Sequence, residues 1–204
     1  MKILLTAFDP FGGEKINPAQ EAVAHVADKV GEAEIIKIVV PTVFATSGEV
    51  VCRAIDEYKP DAVLCIGQAG GRPEMTPERV AINIDDARIP DNAGGAPVDA
   101  KVKEDGDPAY FATLPIKKMV EAIHAIGIPA SVSNTAGTYV CNHLMYCVLY
   151  HEQRHYPGML GGFMHVPFVP EQIVSQNSHA PSMSRRDITA AIEAALGAIA
   201  EECR

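Results

Sequence analysis

Ser133-Asn134-Thr135-Ala136-Gly137-Thr138-Tyr139-Val140-Cys141-Asn142-His143 reads as the end of a strand, a tight glycine turn and the first turn of a helix. The β-type apolar run Ile128 to Val132 leads into it, and Tyr139, Leu144, Met145, Val148 and Leu149 follow at roughly helical spacing. Cys141 is thereby predicted where a helix leaves its first N–H groups unpaired and where the positive end of the helix dipole lowers a thiol pKa. The same N–H groups suit an oxyanion. Most free cysteines are buried packing units. The position makes Cys141 a candidate nucleophile, and a base and an orienting carboxylate at the ends of other strands would strengthen it.

Working outward, residues 2 to 7 read as a buried strand, Glu34 to Val40 as a second one ended by Pro41, and Asp61 to Gly67 as a third. Between them the pattern predicts a helix over Ala19 to Val30, with Asn17 as N-cap and Pro18 at its first position, and a helix over Ser47 to Tyr58 stopped by Lys59-Pro60. This alternation predicts an α/β protein: one domain over residues 1–204, a three-layer α/β/α sandwich with a twisted, largely parallel (mixed) central sheet. Downstream, Leu114 to Ile126 reads as a helix and Ile128 to Asn134 as the strand entering the opening segment. Gly161 to Pro167 reads as a short strand carrying His165, and Ile188 to Cys203 as a closing helix with Ser184 as a cap before it.

The chain has 204 residues, 48% hydrophobic and 21% charged, which allows one sizeable core and excludes global disorder. With a net charge of −9 and no basic cluster larger than Arg185-Arg186, neither nucleic acid nor an anionic membrane is expected as the main partner. The N-terminal apolar run breaks at Asp9-Pro10, too early for a signal or a membrane span, so a cytoplasmic protein is expected. Five cysteines without C-x-x-C spacing disfavour a disulfide framework. His143, Cys147 and His151 form one helical row while Cys141 points elsewhere, so no metal is expected there. Gly67-x-x-Gly70-Gly71 lacks the spacing, the lysine and the following helix of a phosphate cradle, and no cofactor is expected.

Several residues remain open on pattern alone. Phe8 and Phe11 lie in a Pro- and Gly-rich loop at the C-terminal end of the first strand, where open α/β sheets bind ligands, and either contact a ligand or plug the core. Glu78 opens a strand in which Val80, Ile82 and Ile84 alternate with a more polar face; carboxylates in such places are mostly solvated. Residues 85 to 110, rich in Asp, Pro, Gly and Ala, are long for a structureless loop and read as a hairpin, a lid or a subunit contact. Arg88 near its start is either a surface ion pair or a residue reaching into a site.

Four motifs together resemble the pyroglutamyl-peptidase I family of cysteine peptidases. They are Phe8-Asp9-Pro10-Phe11-Gly12, the segment from Gly67 through Glu78-Arg79-Val80-Ala81-Ile82-Asn83, Ser133-x-Thr135-Ala136-Gly137-x-Tyr139-Val140-Cys141-Asn142, and Phe163-Met164-His165-Val166-Pro167. They span residues 8 to 167 in the family's order; Met75 departs from the branched aliphatic residue usual there. The resemblance implies a Cys141, His165, Glu78 triad acting through a thioester on peptides with an N-terminal pyroglutamyl residue. It implies further that Phe8 and Phe11 contact the lactam ring, that Gln68 and Asn17 lie near the pocket, that Arg88 stands beside the oxyanion, and that the chain forms homo-oligomers, often tetramers. Two other readings stand beside it: a non-catalytic binding domain that keeps the pocket, and a phosphorylase-like transferase, for which the basic phosphate cluster is missing.

Overall fold

Every residue of β1 (Lys2–Phe8) after the first is buried, so the strand is packed on both faces. A computed structural model describes residues 1–203. After β1 come α1 (Pro18–His25), β2 (Lys29–Val30), β3 (Ala33–Val40), α2 (Phe44–Tyr58), β4 (Ala62–Gln68), β5 (Thr76–Pro77), β6 (Val80–Ile82) and β7 (Ala109–Phe111). The chain continues through α3 (Ile116–Ala125), α4 (Val140–His155), β8 (Leu160–Val166), α5 (Pro170–Ser175) and α6 (Arg185–Glu202). The six-stranded sheet has the order β2-β3-β1-β4-β8-β5, parallel except for the two edge strands, while β6 and β7 pair antiparallel apart from it.

Strand alternation sorts the core into two layers. Ile3, Leu5, Leu64, Ile66, Met164 and Val166 face one cluster with α1, α3 and α6, whereas Leu4, Val63, Cys65 and Phe163 face the other with α2 and α4. The layers and the mixed sheet are those read from the sequence. By the same parity Gly67 and His165 fall on the α4 side, and they are register partners across β4 and β8.

Four local expectations need correction. The first helix stops at His25, not Val30: Val26 turns into the core, and Gly31, at φ 57, lets Lys29–Val30 fold back antiparallel onto β3. The second helix begins at Phe44, three residues before Ser47. Ile128 to Asn134 makes no continuous strand. It touches the segment around β5 through separate bridges at Met75–Ala130 and Glu78–Ser133, because Pro77, between them, has no N–H to give to the ladder. In β6 the buried residue is Ala81, with Val80 and Ile82 half-buried, since that strand is clamped from above by α4. Residues 85 to 110 form the excursion of a wide hairpin, with β6 and β7 as its base and an Asp85–Ala100 bridge above.

Candidate active site

The turn Thr135 to Tyr139, with Gly137 at φ 76, delivers the chain into α4, and Cys141 is the second residue of that helix. Its N-cap, Tyr139, makes no side-chain capping bond. The first N–H groups of α4 are therefore not satisfied by a capping side chain. Asn142, buried, faces the other way: Nδ2 donates to the carbonyls of Ile82 and Ile84 at 2.9 and 3.0 Å, and Oδ1 accepts from Ile82 N–H at 2.9 Å. That clamp fixes β6 and the start of the hairpin excursion against the helix carrying Cys141.

Gly67 explains how close the helix comes. A Cβ there would stand 3.1 Å from Cys141 Sγ and 2.6 Å from the Phe163 ring, so only glycine lets the sulfur settle over the end of β4. His165, the neighbour of Gly67 on β8, is 4% exposed, and its Nδ1 lies 2.6 Å from Glu78 Oε1. Thr76 pairs with His165 and Pro77 with Met164 in antiparallel register, which sets Glu78 diagonally opposite His165 on the same face. Glu78 is fully buried, not solvated as its pattern suggested.

Arg72 completes this cluster, and sequence reasoning missed it. Its guanidinium donates to Glu78 Oε1 at 2.7 Å, to Thr76 Oγ1 at 2.6 Å and to the Thr135 carbonyl at 3.2 Å. The signal was an arginine in a glycine loop directly after a buried strand, where a cation has a carboxylate to serve or a ligand to meet. Burial works against ionised Glu78, yet bonds from His165, Ser133 and Arg72 outweigh it and hold the carboxyl below its usual range. Burial and the Arg72 charge together bring His165 below an ordinary histidine, against the pull of Glu78. The ionised carboxylate can only accept, so His165 Nδ1 carries the proton and Nε2 is the free base.

For Cys141 the expectation reverses. Burial, then the Glu78 charge, pushes its thiol up to about 12, and Arg72 opposes them only in part. Desolvation of a thiolate beneath the pocket is the largest of these effects.

A cavity of about 530 Å³ opens over Cys141 and His165, lined also by Phe11, Gln68, Arg72, Arg88, Ile89 and the 135–139 turn. Phe11, Gln68 and Arg88 are thus brought to it. Phe8 is not among the lining residues: it is buried below, against Phe163 at 6.3 Å between ring centres. Nor does Asn17 line it. Its Oδ1 caps α1 at Ala19 N–H, and its Nδ2 donates to the Asp9 carbonyl at 3.0 Å, which holds the loop bearing Phe11. Arg88 is exposed at the mouth. The excursion carrying it is tied down where Thr138 Oγ1 donates to the Asp86 carbonyl at 2.9 Å and Tyr139 OH to the Pro90 carbonyl at 3.1 Å.

Residues 1–202 match the pyroglutamyl peptidase family. The chain belongs to that family. It is 59% identical over 201 residues to the pyrrolidone-carboxylate peptidase of Streptococcus suis, covering 98% of this chain and 93% of the relative. Its identity to the same-named protein of Staphylococcus haemolyticus is 57% over 202 residues, or 99% and 95% of the two chains. The crystal structure of pyroglutamyl peptidase I from Bacillus amyloliquefaciens superposes with a TM-score of 0.94 at 50% identity, covering 98% of this chain and 94% of that one. A mutant pyrrolidone carboxyl peptidase from Pyrococcus furiosus does so at 0.96 and 41% identity, over 99% of both. As a pyroglutamyl peptidase the chain is a cysteine-type omega peptidase, a hydrolase of a family that removes N-terminal pyroglutamate. No helix among the described residues is long and apolar enough to cross a membrane.

Proposed function

We propose that the chain hydrolyses the bond after an N-terminal pyroglutamyl residue with Cys141 as nucleophile, His165 as base and then acid, and Glu78 as the carboxylate that orients it. One observation carries the reading: the Cys141 sulfur lies over Gly67, whose sheet partner is a buried His165 held 2.6 Å from a buried Glu78. A domain that only bound a ligand would have no use for a histidine held on a buried, ionised carboxylate beneath its pocket.

As Sγ attacks the scissile carbonyl carbon, its proton passes to His165 Nε2, and the imidazolium is stabilised by Glu78. With a high thiol pKa and a depressed histidine pKa, this transfer accompanies attack and no resting ion pair is needed. The oxyanion meets the first N–H groups of α4, with Arg88 beside it. Collapse breaks the C–N bond, His165 gives its proton to the leaving amine, and a thioester remains. Water, deprotonated by His165, then attacks the thioester, and the thiol and free pyroglutamate are released. Phe11 and Ile89 supply apolar walls for the lactam, and Gln68 supplies a polar contact. Phe8 and Asn17 act from behind, one under the pocket floor and one on the Phe11 loop. The cytoplasmic location and a homo-oligomer, tetrameric by family resemblance, belong to the same reading.

The test is release of a chromogenic amine from a pyroglutamyl amide, compared with the prolyl and glutamyl amides, before and after iodoacetamide. Selective cleavage lost on alkylation of Cys141 is expected. No cleavage by folded, reduced protein would leave the binding-domain reading.

A further inference from the structure

We propose that Gln172, outside the catalytic set and out of reach of substrate, fixes the hydrogen-bond polarity of the substrate slot by holding the Gln68 amide with its NH2 group towards the cavity, where it donates to the ring carbonyl of the pyroglutamyl residue. The inference rests on the function proposed above.

The polarity follows from one group that cannot be turned round. Val169 N–H, at the start of α5, lies 3.2 Å from the Gln172 side chain, and a backbone N–H only donates, so the amide atom there is Oε1. The other end of that amide is then its NH2, which donates to Gln68 at 2.9 Å; the atom receiving it is Gln68 Oε1. What Gln68 has left is its own NH2. That group has no partner among the described residues and is not sealed off from solvent, and Gln68 lines the cavity. Gln172 is 1% exposed, so it acts on the slot only through Gln68.

The ring carbonyl is what separates a pyroglutamyl residue from a prolyl one, which carries CH2 at that place. A slot with a fixed donor there is matched by the lactam and left unsatisfied by proline. A freely turning Gln68 would lack this discrimination, because it could offer its carbonyl instead. Gln172 is thereby a positioning residue for specificity.

The experiment compares wild type, Gln172→Glu and Gln172→Met by kcat and KM on a pyroglutamyl amide from about pH 8 down to about pH 5. In Q172E the ionised carboxylate still accepts from Val169 N–H but cannot donate, so Gln68 turns its NH2 inward and presents a carbonyl to a carbonyl. A KM rise of roughly tenfold to a hundredfold is expected, with kcat changed far less. Burial lifts the pKa of the introduced carboxyl, and once protonated it donates again, so KM returns towards wild type as pH falls. Q172M is expected to show a smaller rise without that recovery. Equal effects of the two variants with no recovery, or a Q172M indistinguishable from wild type, would overturn the proposal. Should Q172E not fold, the Q172M and Gln68→Met cycle decides: strong non-additivity in KM supports it and additivity refutes it. A wild type that cleaves no pyroglutamyl amide would refute the proposed function itself, an outcome distinct from any of these.

Discussion

At the scale of single residues, Cys141 shows how two local effects compete. Its place in the first turn of a helix argues for a low thiol pKa, and burial with Glu78 nearby pushes it up to about 12. Its alkylation rate by iodoacetamide is therefore expected to keep climbing from about pH 7 to about pH 9; a plateau below about pH 7 would mean that the helix end dominates. Cys141→Ser should cost more than about ten-thousandfold in kcat/KM at unchanged Tm, while Cys147→Ser stays active. Arg72 gives a sharper test, because it holds Glu78 and depresses His165 at once. In Arg72→Gln the loss of the cation lets the His165 pKa rise, so the acid limb of kcat/KM moves to higher pH. A drop of about one to two orders of magnitude should accompany it; an unmoved limb would make Arg72 merely structural. Cys141 and His165 were legible because each stands at the end of an apolar run next to a turn. Glu78 and Arg72 were not legible from pattern, since neither burial nor a contact between residues 72, 78 and 165 can be read from alternation.

At the scale of elements, α4 does more than present the nucleophile. His143 Nδ1 bonds Asp85 Oδ2 at 2.8 Å and its Nε2 lies 3.5 Å from Cys147 Sγ, which ties the helix to the hairpin excursion. Burial opposes the charged imidazole, but Asp85 and Cys147 overcome it and raise its pKa from 6.5 to about 9. Further along, burial raises Glu152 from 4.5 to about 7, with the Thr113 hydroxyl opposing only in part. Both folded-state values exceed the unfolded ones, so the native protein holds extra protons and loses stability as pH rises, through Glu152 between 4.5 and about 7 and through His143 between 6.5 and about 9. His165, lowered in the folded protein, works the other way up to 6.5, so the readout is the difference between variant and wild-type melts: Glu152→Gln should remove a fall in Tm between 4.5 and about 7 and His143→Gln one between 6.5 and about 9, each worth on the order of 3 kcal/mol at most. Variant profiles that run parallel to that of wild type would sink the assignment. The long helices and the central strands were readable from periodicity and caps: Asn17, Ser184 and Lys59-Pro60 begin or end helices where their chemistry predicts, whereas the short β2, β7 and α5 were not read. Element ends were less so. The stop of α1 at His25 depends on Val26 finding the core and on Gly31 turning the chain, and the broken strand before Thr135 depends on a proline in the segment it lies against.

At the scale of the whole molecule, the site exists because two layers close on one glycine. Gly67→Ala would put a methyl against Phe163 and the Cys141 sulfur. It is expected to cost about 1–3 kcal/mol in stability and most of the activity, read by denaturant melts and kcat/KM; a fully active variant would mean that the helix is held less closely than the geometry requires. The sequence by itself determined the α/β class, the glycine turn and the helix start at Cys141, and the family. Those follow from side-chain periodicity and from what glycine, proline and capping residues do to a local backbone. Only the tertiary structure decided that Gly67 and His165 share a face, that Glu78 is buried on His165, that Arg72 shares its oxygen, that Phe11 but not Phe8 lines the cavity, and that Gln172 bonds Gln68. Each of these is set by how separate segments pack, by desolvation from neighbours or by the path of a loop, and none is encoded in the spacing of residues along one strand or helix.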